Sequence, residues 1–265
     1  MRPTLLIVAA LLLCAPLAAA ADRPLPWQGG ANEETGAEAQ FGRAATEIAG
    51  RPVSIRCNGE NDWQTLAAQR GLSTTTWGYV SFRGGKPLEF SELSPEACWW
   101  LDRYAAAAPK PAYWCTQTER RTTYVQRVVR VKTAKRVKRN GNWVTVAAWK
   151  TRRVSVPVTK DVQVKAKCAG ADEWWKHVYA LWTLAHESFH LQGVTSEATA
   201  DCYGMQEIAR AAVSLGATPA EARLAAEYAA TTLYAQKVAG SPTYGSPECR
   251  AGGALDRTPD DRVWP

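Results

Sequence analysis

The residues best placed to do chemistry are His186-Glu187-Ser188-Phe189-His190, an HExxH pentapeptide. Residues i and i+4 lie one turn apart on the same face of an α-helix. Both imidazoles can therefore grip one metal ion. Glu187 follows the first histidine directly, so it reaches a water on that ion without being a ligand. This pattern predicts a helix-borne zinc site with a carboxylate base. The bland alternative is a pair of surface histidines flanking an acid.

A zinc hydrolase site needs a third protein ligand and one open position for water. The chain holds three histidines in all. His177 lies nine residues before His186, half a turn out of phase, and points to the opposite face as a packing or surface residue. The third ligand should then be a carboxylate or a thiolate. Glu197 and Asp201 are the next candidates, four residues apart on one face. On a continuous helix Glu197 would sit about 16 Å along the axis from His186. That is too far for a bond of about 2 Å. The chain must reverse at Gly193-Val194-Thr195-Ser196, with Thr195 or Ser196 capping a new helix. One of the two carboxylates can then bind the metal while the other accepts the spare N–H of a histidine.

Residues 197–201 spell ExxAD, and with HExxH they make the chain resemble the gluzincin metallopeptidases over about residues 171–210. The resemblance implies one Zn2+ held by His186, His190 and Glu197. It makes Glu187 the general base and Asp201 the residue that orients His186. It also implies an α+β zincin-like core: a small mixed sheet, the HExxH helix and a following ExxAD helix. Two departures stand out. Only six residues separate His190 from Glu197, fewer than most gluzincins use. His190-Leu191-Gln192-Gly193 also resembles the metzincin start, but the third metzincin ligand would fall on Ser196, which does not suit zinc. The chemistry implied is hydrolysis of a peptide bond, with Glu187 taking a proton from water and passing it to the leaving amine. Tyr203, Tyr228 and Tyr234 are candidates for a further donor to the developing oxyanion, with packing as the competing role for each.

The elements that must position these groups follow from periodicity and caps. Residues 171–192 read as a helix that Gly193 stops. The second site helix reads as 197–210. Residues 53–57 alternate like a strand, and 61–71 look like a short helix. Residues 76–82 and 87–90 flank Arg83-Gly84-Gly85-Lys86 as a hairpin. Its edge could bind an extended peptide by main-chain pairing, or serve only as structural sheet. Ser94-Pro95 opens another helix. Thr218-Pro219-Ala220-Glu221 is a capping box that starts a long helix through about Val238.

Residues 1–21 have the pattern of a secretory signal peptide: Arg2, an apolar run from Leu5 to Leu13, and Ala18-Ala19-Ala20-Ala21 as cleavage site. After cleavage no stretch is expected to span a membrane. The mature chain is expected to be secreted, periplasmic or bound to the cell envelope. Residues 22–40 look like a loose leader, and 41–265 like one catalytic domain. Six cysteines remain after the signal, enough for three disulfides among 15 connectivities. Cys115 and Cys168 bracket one coherent segment, and the other four are assigned Cys57–Cys98 and Cys202–Cys249.

That bracketed segment, 115–168, is the second unusual feature. It holds 15 of the chain's 32 Lys and Arg but only 2 of its 25 acidic residues. Asn140-Gly141 marks a hairpin turn. A two-residue turn there pairs Val137 with Val144 and sets Val129, Val131, Val146, Val154 and Val156 on one face. Arg130, Lys132, Arg136 and Lys138 then share the other face with Trp143 and Trp149. The hairpin should either break near Pro157 or project as an arm. Its charge and tryptophans suit a polyanion such as an anionic cell-wall polymer, a lipid surface or nucleic acid, and in an exported chain envelope polyanions are better candidates than nucleic acid. A solvated, aggregation-resistant edge is the plain alternative. Two readings of the whole chain result. One is an exported zinc metallopeptidase acting on a peptide or protein substrate. The other is a non-catalytic envelope-binding protein with a structural or vestigial zinc site. The intact Glu187 separates them, because a purely structural site has no use for a base.

Overall fold

The structure, a computed structural model, describes residues 35–73, 75–259 and 264. The expected signal peptide and most of the expected leader lie outside them. The fold is a mixed α+β arrangement around one central helix, α4 (Trp174–Gln192), preceded by a single 3-10 turn. Every α4 residue from Ala180 to Leu191 is buried. A helix buried on all sides is a core element, and burying each ring such as Trp182 or Phe189 contributes about 1.5–3 kcal/mol. Buried His186, Glu187 and His190 on the same helix would destabilise it unless they had partners.

Helix α1 (Gly36–Ala49) packs along α4 through Phe41, Ala44, Ala45 and Ile48. It overturns the reading of 22–40 as a loose leader in its last five residues. Thr35 and Glu38 form a reciprocal capping box, and Glu38 also accepts from the Cys57 N–H at 2.7 Å. These bonds fix the start of α1 to strand β1 (Ser54–Cys57). Helix α2 (Glu60–Arg70) follows. Strands β2 (Gly78–Arg83) and β3 (Lys86–Leu93) form the expected hairpin about Gly84 and Gly85, both with positive φ. β1 pairs with β3 in parallel, so the order is β1-β3-β2 and β2 is an edge strand.

Helix α3 (Pro95–Ala106) is capped by Ser94 as the sequence predicts. After α4, Gly193 takes φ 102° and ends the helix. Ser196 caps α5 (Glu197–Gln206) by accepting from the Thr199 N–H. The expected run to Arg210 breaks at Glu207, and α6 (Ile208–Ser214) begins there. Thr218 and Glu221 form the predicted capping box of α7 (Pro219–Tyr228). Through a π-helical segment (Ala229–Leu233) it runs into α8 (Tyr234–Gly240). The three disulfides are Cys57–Cys98, Cys115–Cys168 and Cys202–Cys249, as assigned from the sequence.

Strands β4 (Trp114–Arg139) and β5 (Asn142–Lys167) pair only with each other. Asn140 and Gly141 both have positive φ in the turn, and Val137 faces Val144. The pairing runs unbroken past Pro157, which faces Tyr124. With 26 residues per strand, the ribbon is roughly 85 Å long. It is thus an arm, with the Cys115–Cys168 bond at its root.

Candidate metal centre and cleft

Helix α4 brings His186 and His190 onto one face, and their Nε2 atoms lie 2.9 Å apart. The reversal at Gly193 returns the chain so that Glu197, the first residue of α5, covers both rings. Its Oε2 is 3.2 Å from His186 Nε2 and its Oε1 is 3.4 Å from His190 Nε2. The two helices can approach this closely because residue 204 is glycine. A Cβ there would lie 2.8 Å from the backbone nitrogen of His186.

The outward-facing ring nitrogens are both committed. His186 Nδ1–H donates to Asp201 Oδ1 at 2.6 Å, and His190 Nδ1–H donates to the Val194 carbonyl at 2.6 Å. Both acceptors lack a proton to give, so both Nε2 lone pairs face the same small space as the Glu197 carboxylate. Three acceptors converging within 4.8 Å repel one another unless a cation lies between them. His186, His190 and Glu197 could therefore hold a metal ion. A proton can take the cation's part, because a protonated imidazole donates to Glu197 from Nε2. Burial lowers the pKa of both imidazoles, yet hydrogen bonds with Asp201 and Glu197 outweigh it and bring His186 up to about 9. The Glu197 hydrogen bond and the Glu187 charge likewise outweigh burial at His190. Burial raises the Glu197 pKa, but its hydrogen bonds with the two histidines win and hold it below the usual carboxylate range.

Glu187 lies beside this group, its Oε1 4.0 Å from His186 Nε2. It is buried, and its Oε2 has no hydrogen-bond partner. Burial pushes its pKa up, against the pull of the two histidines. The group lies in a cleft of about 720 Å3 walled by β2 on one side and by α4, Glu197, Lys237 and Tyr244 on the other. Glu197 is 44% exposed, so the three-ligand group opens into that cleft. Gly78 on β2 is pressed against Glu187: a Cβ there would lie 2.5 Å from Glu187 Oε1.

Asp201 is fully buried and does more than hold His186. Its carboxylate also accepts from Lys237 Nζ at 2.8 Å, and its backbone carbonyl accepts from Trp182 Nε1–H at 3.0 Å. Nothing in the sequence ties Lys237 to Asp201 across 36 residues. Gly78, Tyr179 and Tyr244 also line the cleft without a sequence motif to mark them. The three tyrosines suggested as donors lie elsewhere. Tyr203 packs on Phe189, Tyr228 stacks with Tyr113, and the Tyr234 hydroxyl accepts from the Ser246 N–H. His177 is buried against Trp100 and Tyr104 on the far face of α4, as its phase predicts.

Arg130, Lys132, Arg136, Lys138, Trp143 and Trp149 are all on the ribbon. None of them lines the cleft. Among the described residues no helix is long and apolar enough to cross a membrane, and three disulfides fit an oxidising compartment. The chain matches no known family model, no curated protein and no solved structure.

Proposed function

We propose that this chain is an exported zinc metallopeptidase of the gluzincin type on a zincin-like core. The observation that carries the reading is the buried Glu187 carboxylate, with one oxygen left without a partner beside a three-ligand group that opens into a cleft. Two imidazole nitrogens and one carboxylate oxygen suit zinc better than calcium or magnesium, which take oxygen donors. Tetrahedral ligands at about 2.05 Å from zinc lie about 3.3 Å apart. The observed separations of 2.9, 3.2 and 3.4 Å bracket that value.

When bound, zinc supplies a water of lowered pKa and polarises the scissile carbonyl. The chain's own residues do the rest. The Glu187 carboxylate, whose Oε1 faces the three-ligand group, takes a proton from water and hands it to the leaving amine. Burial favours its protonated form, which makes it a stronger base than an exposed glutamate. Asp201 holds His186 with Nε2 facing inward, and the Val194 carbonyl does the same for His190. The outer edge of β2 offers unpaired backbone groups along which an extended peptide can lie. Absence of a bulky side chain at Gly78 keeps that edge close to Glu187.

The test is zinc analysis of purified protein followed by peptide-library cleavage by wild type and Glu187→Gln. We expect about one equivalent of zinc in both proteins, with turnover falling roughly 100-fold or more in the variant. Unchanged turnover in Glu187→Gln would remove the mechanism. Zinc-free wild-type protein would remove the site.

A further inference from the structure

The ribbon has a property that the cleft does not use. Between residues 125 and 156 it carries ten Lys or Arg and no acidic residue. The two acids of the ribbon lie near its root, where Glu119 pairs with Arg121 and Asp161 with Arg120. Among the described residues, none of the ten distal cations forms an ion pair.

Directly opposed residues of an antiparallel pair share a face, so the register sorts these cations. Arg130, Lys132, Arg136, Lys138 and Arg153 fall on the face of Trp143 and Trp149. Lys132 opposes Trp149 and Lys138 opposes Trp143. The Arg130 guanidinium lies 5.7 Å from the Trp149 ring, and that of Arg136 lies 5.9 Å from the Trp143 ring. Both rings are 61% exposed. The opposite face carries Val129, Val131, Val137, Val146, Val154 and Val156, all half-buried. The other five cations lie on that face.

We propose that the tryptophan face of the distal ribbon binds a linear acidic polysaccharide. The rings take the apolar faces of sugar units, and the flanking cations take their carboxylates or sulfates. The two tryptophans are six residues apart, or roughly 20 Å along the strand, so one ligand reaching both is a polymer rather than a single sugar. Three disulfides fit an oxidising compartment, where such polymers are found and nucleic acids are scarce. Immersion of the ribbon in a bilayer is disfavoured, because both outer strand edges would leave backbone groups unsatisfied. Pairing of two such ribbons is opposed by their like charge. Outside 115–168 the chain has 17 basic and 23 acidic residues, so its body is repelled by the polymer the arm holds. This proposal rests on the ribbon alone and stands or falls apart from the peptidase reading.

The probe is a fluorescein-labelled heparin oligosaccharide long enough to span both tryptophans, titrated by anisotropy against the full chain. Five contacts predict a slope of log K against log salt of about −3.5. Trp143→Ala and Trp149→Ala should each weaken binding roughly tenfold. Neutralising Arg130, Lys132, Arg136 and Lys138 together to Gln should abolish most binding and flatten the slope by about 3. The matched variant with Arg127, Lys135, Arg139 and Lys150 changed to Gln removes the same charge from the other face, and should keep most of the affinity. Equal losses in the two quadruple variants would overturn the proposal, reducing it to net charge. Tighter binding to oligothymidylate or to phosphatidylglycerol vesicles than to the oligosaccharide would overturn it too, as would no binding at low salt.

Discussion

Substituting Gly78 by alanine isolates the position of Glu187 from the proposed metal ligands. The added Cβ would meet Glu187 Oε1 at 2.5 Å, Cγ at 2.6 Å and Cδ at 2.8 Å. Ordinary contact begins near 3.4 Å, so the carboxylate or the strand must yield by roughly 0.9 Å. Gly78 does not take positive φ, so alanine suits its backbone and the effect is steric alone. Glu187 is 4% exposed and cannot swing into solvent to escape. Overpacking of this kind destabilises by about 1–3 kcal/mol. A displacement of about 1 Å at a reacting group lowers turnover roughly 100-fold. His186, His190 and Glu197 are untouched, so zinc affinity should stay near the wild-type value. The assay is kcat/KM on a cleavable peptide beside a zinc competition titration on the same preparation. Wild-type turnover in Gly78→Ala would refute the placement of Glu187 as the base. Loss of zinc in step with activity would refute the expectation that the Gly78 contact bears on Glu187 alone.

Two further outcomes follow from buried titratable groups. Asp201→Asn leaves His186 Nδ1–H a weaker acceptor and deprives Lys237 of its counter-charge, so zinc affinity should fall by about 10–100-fold. A chelator competition giving wild-type affinity would contradict the orienting role. His177 is held neutral: burial, with a smaller contribution from Arg103, outweighs its hydrogen bond with the Trp100 carbonyl and lowers its pKa from 6.5 to about 4. The unfolded chain takes up this proton below pH 6.5 while the folded chain does not. Stability from this residue is therefore complete above pH 6.5 and is lost as pH falls towards 4, by up to about 3 kcal/mol. Denaturant melts of wild type and His177→Phe should differ in slope across that window, and parallel curves would exclude His177 as the cause.

Much of the site could be inferred from local spacing. The i and i+4 histidines, the helix-stopping Gly193 and the capping Ser196 act within a few residues of one another, and distance arithmetic forces the reversal that delivers Glu197. The Asn140-Gly141 turn fixed the ribbon register in the same local way, because its two left-handed residues determine which side chains oppose. The start of helix α1 carries a signal that its composition hides. Thr35 and Glu38 form a capping box, but it stands in a stretch rich in Pro and Gly, and composition outweighed the cap. Lys237, Gly78, Tyr179 and Tyr244 left no local trace. They reach the cleft through packing between distant segments, which no period or cap encodes. Helix α5 stops short of Arg210 because the backbone turns out of the helix at Glu207, although glutamate fits a helix by propensity.

Asp201 has a consequence for the distant end of the chain. Its carboxylate is shared by His186 and by Lys237 of α8, and its neighbour Cys202 is bonded to Cys249 in the tail. An ion that holds His186 in place also holds the carboxylate on which Lys237 docks, and docking of α8 holds the acceptor His186 needs. The two events are linked equilibria, and linkage is reciprocal. Whatever factor ion binding adds to the docking of residues 234–249, that docking adds to the affinity for the ion. The C-terminal segment is in this sense a thermodynamic component of a centre whose ligands lie some forty residues before it.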